Sequence, residues 1–169
     1  DETSSHLGES VRVLDSLSDR ERYIFMRSLK LLFEGEFFTP YFDFKDVWYL
    51  QPVELFSRGI YCLDHGHNNP KNVPRGIVFS DYLMHCVQKF GYINQYGQQA
   101  KIESFLKDFV TVRNWVMHGK VWNCTVFTTV AEEFVFYRRV EALLKAFLLS
   151  YLGVHTFSNR DALIHGIVF

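Results

Sequence analysis

Arg113 and His118 stand five residues apart in the run Arg113-Asn114-Trp115-Val116-Met117-His118, and together they could act on a phosphodiester. RNA brings its own nucleophile, the 2′-hydroxyl. A catalyst therefore needs a proton acceptor and donor that work near neutral pH, and a cation to meet the charge building on the phosphate. Imidazole titrates in that range, while a guanidinium never loses its charge and its fork matches two phosphate oxygens. Electrostatic stabilisation of the transition state is expected to be the larger of the two effects.

Spacing restricts how these groups meet. Five helical steps turn Arg113 and His118 about 140° apart around the axis, so they do not point down one face. Asn114 and His118, four apart, do share a face. Arg113 and His118 converge on one phosphate if the last turn frays at Gly119, a natural helix stop.

The elements that must carry this run read as helices. Ser18-Asp19-Arg20-Glu21 has the form of a capping box, opening a helix whose buried face is expected at Tyr23, Met26, Leu29, Leu32 and Phe33 and whose stop is expected at Gly35. Residues 36–50 read as an irregular, aromatic-rich connector. Pro52 suits the first turn of a second helix with Val53, Phe56, Ile60 and Leu63 on one stripe, ending near His65. Residues 66–76 are the clearest loop. Ser80-Asp81 can cap a helix bearing Tyr82, Leu83, Cys86, Val87 and Phe90, after which residues 92–97 form a turn.

From Gln98, the positions Ile102, Phe105, Leu106, Phe109, Val112 and Val116 keep helical spacing up to the Arg113 run. Thr129-Val130-Ala131-Glu132 is a second capping box, and its helix carries Phe134 to Tyr151 before Gly153. Ser158-Asn159-Arg160-Asp161 could cap a short final helix. The fold class expected is all-α, an up-and-down bundle of about five helices. Residues 1–17 are read as a polar, partly mobile segment and residues 18–169 as the helical domain.

Composition bounds the function classes. With 18 Lys and Arg against 19 Asp and Glu, no global field attracts nucleic acid, so any RNA contact depends on a local basic cluster. Three cysteines, Cys62, Cys86 and Cys124, make a poor disulfide framework and fit free thiols in the cytoplasm. No run is long enough to cross a bilayer, and no membrane partner is expected. The chain starts at Asp1 rather than Met, as a piece of a longer protein would, so further domains of the same chain could supply its partners.

The segment Arg113-Asn114-Trp115-Val116-Met117-His118 resembles the Arg-x4-6-His signature of the HEPN ribonucleases, including their polar residue directly after the Arg. His118-Gly119 and the long helix that follows are similar as well, and the likeness runs from roughly Ser18 to Gly153. The resemblance implies a homodimer in which two such motifs face each other, with metal-independent cleavage of RNA and no cofactor. Residue by residue it implies Arg113 as phosphate clamp, His118 as acid/base group and Asn114 as the residue that orients them. It also implies a role in a toxin system, antiviral defence or RNA processing, with an inhibitor or antitoxin as a further partner. Where one toxin branch has a Tyr two positions after the His, this chain has Lys120, which could bind a phosphate as a point charge; Trp122 could stack on a base.

Other readings stand beside this one. The same fold could be a catalytically inactive HEPN-like module for RNA binding or dimerisation, or a helical scaffold of unrelated ancestry. Arg113 is then a solvated helix charge and His118 a C-terminal residue favoured by the helix dipole. Cys62, His65 and His67, with His85-Cys86, offer metal ligands, but their second pair is poorly spaced for zinc, and surface histidines flanking a loop are the better reading. Arg138, Arg139 and Lys145, with Lys101 and Lys107, form either a basic strip for RNA or the wet face of helices. Asp43, Glu54 and Asp64 are acidic positions able to complete the Arg113 site from another helix.

Overall fold

A computed structural model describes residues 2–38, 45–67, 72–90, 99–118 and 125–153. The described residues form six helices: α1 (Glu2–Ser16), α2 (Asp19–Phe38), α3 (Lys45–Asp64), α4 (Phe79–Lys89), α5 (Gln99–Met117) and α6 (Val130–Tyr151). The fold is the expected all-α bundle, with one helix more than the pattern indicates.

That extra helix is α1. Its polar sequence was expected to carry no ordered element, yet Leu14, and Leu17 just beyond the helix, pack against the core. Arg22 also donates from Nη2 to the carbonyls of Leu14 and Asp15 at 3.3 and 3.4 Å, satisfying acceptors that a helix end leaves open.

Both expected capping boxes form. Ser18 N–H donates to Glu21 Oε2 at 2.9 Å, and Glu21 N–H donates to Ser18 Oγ at 3.4 Å. At α6, Glu132 N–H donates to Thr129 Oγ1 at 3.2 Å while Glu132 Oε2 accepts from the N–H of Thr129 at 3.3 Å. At α4 the cap shifts. The residue outside the helix is Val78, whose N–H donates to Asp81 Oδ2 at 2.8 Å, so Asp81 acts from inside the first turn rather than Ser80 from outside it.

Two boundaries differ from the expectation. α2 runs past Gly35 to Phe38, and α3 begins at Lys45, which puts Pro52 inside a helix rather than at its start. Proline has no N–H for the preceding turn. The packing around it outweighs that loss: Tyr49 and Leu50 are buried, and the Tyr49 ring lies 5.8 Å from that of Tyr137 on α6.

α3 is the hub, packing on α2, α4, α5 and α6. Its stripe of Val53, Phe56 and Ile60 is fully buried, as expected. The Phe56 ring meets Phe147 at 6.0 Å and Tyr151 edge-on at 5.8 Å, tying the hub to α6. Burying one such ring contributes about 1.5–3 kcal/mol. Leu83, Cys86 and Val87 on α4, Phe109 and Val112 on α5, and Val140 and Leu144 on α6 close the rest of the core.

The buried face of α2 is only partly the one its spacing suggests. Leu32 is buried and Leu29 packs against the core as expected, and Ile24, Phe25 and Ser28 also point inward, but Tyr23, Met26 and Phe33 are more than half exposed. Gly59 of α3 decides this orientation. A Cβ built there would lie 2.8 Å from both Cδ1 and Cγ2 of Ile24, so α2 approaches α3 with Ile24 seated directly over the glycine. The final turn proposed around Ser158, the 92–97 turn, Cys124 and Asp43 lie outside the described residues.

Candidate active site

α5 presents its apolar face, Ile102, Phe105, Phe109 and Val112, to the core, and this sets where the following residues project. Arg113 comes next after buried Val112 and turns toward α3. Its Nε donates to Glu54 Oε2 at 3.0 Å and its Nη2 to Glu54 Oε1 at 2.7 Å, a two-bonded pair whose side chains are each about one-fifth exposed. The guanidinium carbon also lies 5.2 Å from the centre of the Phe79 ring, at the start of α4. Arg113 is therefore not a solvated helix charge. A planar cation is fixed by a carboxylate on one edge and an aromatic face beside it.

Asn114 ties the motif together. Its Oδ1 accepts from Arg113 Nη1 at 3.1 Å, and its backbone carbonyl accepts from the N–H of His118 at 3.1 Å. Among the described residues, three of the five N–H groups of the guanidinium are thus engaged, two by Glu54 and one by Asn114.

His118 is exposed, in the turn directly after α5. Its backbone bond to Asn114 closes the last helical turn, so the fraying expected at this end has not reached His118. Among the described residues no hydrogen bond or ring contact joins His118 to Arg113. Lys120 and Trp122 lie outside the described residues.

The structure separates the acidic candidates. Glu54 belongs to the Arg113 site. Asp64 is ten residues further along α3, about 15 Å away at the helical rise, and faces other partners. Its carboxylate accepts from His85 Nε2 at 2.7 Å and from Lys89 Nζ at 2.6 and 2.7 Å. Partial burial acts to raise the Asp64 carboxyl, but these hydrogen bonds and charges outweigh it and hold the group below the ordinary aspartate range.

The histidines beside Asp64 pack as rings. His65 stacks on Tyr61 at 4.0 Å, and the Tyr61 carbonyl accepts a bond from His65 Nδ1 at 2.9 Å; His67 lies parallel to His65 at 6.2 Å. Cys62 and Cys86 are buried away from them, and burial pushes both thiols up. Among the described residues no group of three His, Cys, Asp or Glu is placed to hold a metal ion. The reading as histidines flanking a loop is the one this packing supports.

The basic strip resolves unevenly. Arg138 and Lys145 both bind Glu141, a buried carboxylate on their own helix, and so are committed to the fold. Trp115 packs against the core rather than standing free.

Sequence reading missed a feature beside the motif. A cavity of about 550 Å³ opens between α2 and α3, with Glu54 in its wall and Met117, the residue before His118, at its edge. Arg20, Arg27 and Arg58 also line it. Their signal was present in the sequence: Arg20, Ile24, Arg27 and Leu31 recur at steps of four and three on α2, and Arg58 is one turn after Glu54. None of the described helices is long and apolar enough to cross a membrane. No family profile, curated protein or solved structure matches the chain.

Proposed function

We propose that this chain is a HEPN-type, metal-independent endoribonuclease whose site is assembled from Arg113, Asn114 and His118 of two copies in a homodimer. The observation that supports it is the fixing of Arg113: Glu54, Phe79 and the Asn114 side chain hold the cation in place, and His118 stands exposed at the end of the same helix. A preorganised charge and an exposed acid/base group are what transesterification of RNA requires.

In the proposed reaction, the imidazole of one His118 takes the proton of a 2′-hydroxyl. The resulting oxyanion attacks the adjacent phosphorus, and the bond to the 5′-oxygen breaks. The imidazolium of the second copy protonates that leaving oxygen. The products are a 2′,3′-cyclic phosphate and a 5′-hydroxyl. The free N–H groups of Arg113 meet the charge on the non-bridging oxygens. The scheme uses two copies so that one His118 serves as base and the other as acid. Lys120 and Trp122 are assigned to RNA binding, as phosphate contact and stacking platform. An inhibitor or antitoxin in a defence system would act by covering this end of α5.

A second reading is favoured by one observation: Glu54 already occupies the side edge of Arg113. A HEPN-like module with its cation so committed could bind RNA or dimerise without cutting. Incubating the protein with end-labelled single-stranded RNA in excess chelator separates the two. The nuclease reading expects cleavage with cyclic-phosphate ends, falling by about 10²–10⁴-fold in His118→Ala. Equal cleavage by that variant removes the assignment, and RNA binding with no cleavage by the wild-type dimer selects the second reading.

A further inference from the structure

The cavity between α2 and α3 carries a charge imbalance that the fold does not explain. Arg20, Arg27 and Arg58 line it, and among the described residues none of the three has a carboxylate partner. The acidic residue in the wall is Glu54, whose charge is already taken up by Arg113. Arg58 is the most telling. Its guanidinium lies 5.9 Å from the centre of the Tyr82 ring, and its Nε is buried with no acceptor among the described residues. A buried donor without a partner is costly, on the order of 1–3 kcal/mol, and is usually met by something that binds there.

All three side chains line the same space. Arg20 gives one N–H to the His67 carbonyl at 2.6 Å, which fixes its head and leaves its other donors free. Arg58 and Arg20 both act to lower the Cys62 thiol at the cavity wall, against the larger effect of burial. The remainder of the lining, including Ile24, Leu31, Leu55 and Met117, is apolar. A volume of about 550 Å³ lies within the range of small-molecule sites.

We infer that this cavity is a binding site for an organic phosphate: a phosphoryl head held by Arg58, Arg20 and Arg27, carried on an apolar or aromatic body that fills the space toward Leu31 and Met117. Phosphate suits the site better than a carboxylate. A phosphate monoester brings a charge of about −1.5 to −2 at neutral pH and three acceptor oxygens, against a single negative charge on a carboxylate. Three guanidinium groups match the former. Exposed Tyr23 at the rim offers a ring for a flat body to lie against. This site stands apart from the nuclease reading, since none of its three cations belongs to the Arg113 run.

Phenyl phosphate is the probe, titrated calorimetrically into the full chain at low salt, with phenol, benzoate and inorganic phosphate as comparisons. Saturable binding of phenyl phosphate is expected, tighter than that of all three comparisons. Arg58→Gln and Arg27→Gln should each weaken it by about tenfold or more, the effect of losing one charge-assisted hydrogen bond. Arg27 is exposed, so its substitution leaves the fold intact even where Arg58→Gln does not. His118→Ala should bind as the wild type does, which separates this site from the proposed cleavage site. Displacement of phenyl phosphate by a 5′-phosphorylated RNA trinucleotide assigns the phosphate to RNA; failure to displace it assigns a free metabolite. No saturable binding, equal binding of phenol, or unchanged affinity in Arg27→Gln overturns the proposal.

Discussion

Arg113 and Glu54 are 59 residues apart in sequence and are joined by two hydrogen bonds, of 3.0 and 2.7 Å, that lock α5 to the hub helix α3. The pair is half-buried, between the surface ion pairs that contribute little and the buried ones that are costly to break. A double-mutant cycle of Arg113→Gln and Glu54→Gln, read by urea unfolding, should give a coupling of about 1–2 kcal/mol. Additive effects would show that the two bonds add nothing to stability. One practical consequence is that Arg113→Ala is a poor probe of catalysis, because it strands Glu54. On the proposed nuclease reading, Glu54→Gln should lower RNA cleavage by up to about a hundredfold through misplacement of Arg113.

Gly59→Ala should destabilise the chain by about 1–3 kcal/mol, the usual cost of overpacking. The added methyl would fall 2.8 Å from both Cδ1 and Cγ2 of Ile24, a buried and β-branched side chain that is stiff at its first torsion. A lowered melting temperature checks this, and Ile24→Ala in the same chain should recover part of the loss. A Gly59→Ala variant as stable as the wild type would mean that α2 and α3 pack differently.

Asp64 gives stability a defined pH dependence. Its carboxyl is held below the ordinary range by Lys89 and His85, against the effect of burial. A depressed native pKa means that the stabilisation is complete above the unfolded value, about 3.9, and disappears as pH falls through the native value. Asp64→Asn should therefore be less stable than the wild type at about pH 6, and the gap should narrow below about pH 4. Urea midpoints across that window test it; a constant gap would assign the loss to packing instead.

Thr129→Ala should cost about 1 kcal/mol, since the hydroxyl accepts from Glu132 N–H at the start of α6. Thr129→Ser should retain most of that stability. Amide exchange at the first turn of α6 is the direct readout, and unchanged protection there would remove the cap from the account.

Much of this fold was legible because helical periodicity reports burial wherever one face is clearly apolar, as in α3, α4 and α5. α2 was misread because its apolar residues go most of the way round, so spacing alone allows two faces. The choice is made by Gly59 on another helix, which no local pattern contains. The same holds for α1, whose end is satisfied by Arg22 from the next helix. At the site, residue types single out Arg113, Asn114 and His118; the Asn114 side chain bonds Arg113, while His118 is joined to Asn114 through the backbone alone. That Arg113 faces Glu54 and Phe79 rather than His118 depends on how α3, α4 and α5 cross. Such crossings are set by packing across the whole core.

Glu54 bonds Arg113 and also lies in the wall of the arginine-lined space, so one carboxylate belongs to both surroundings. If an anion among Arg20, Arg27 and Arg58 displaces that carboxylate, it changes how firmly Arg113 is tethered, and by linkage a phosphate on Arg113 would change the affinity for that anion by the same factor.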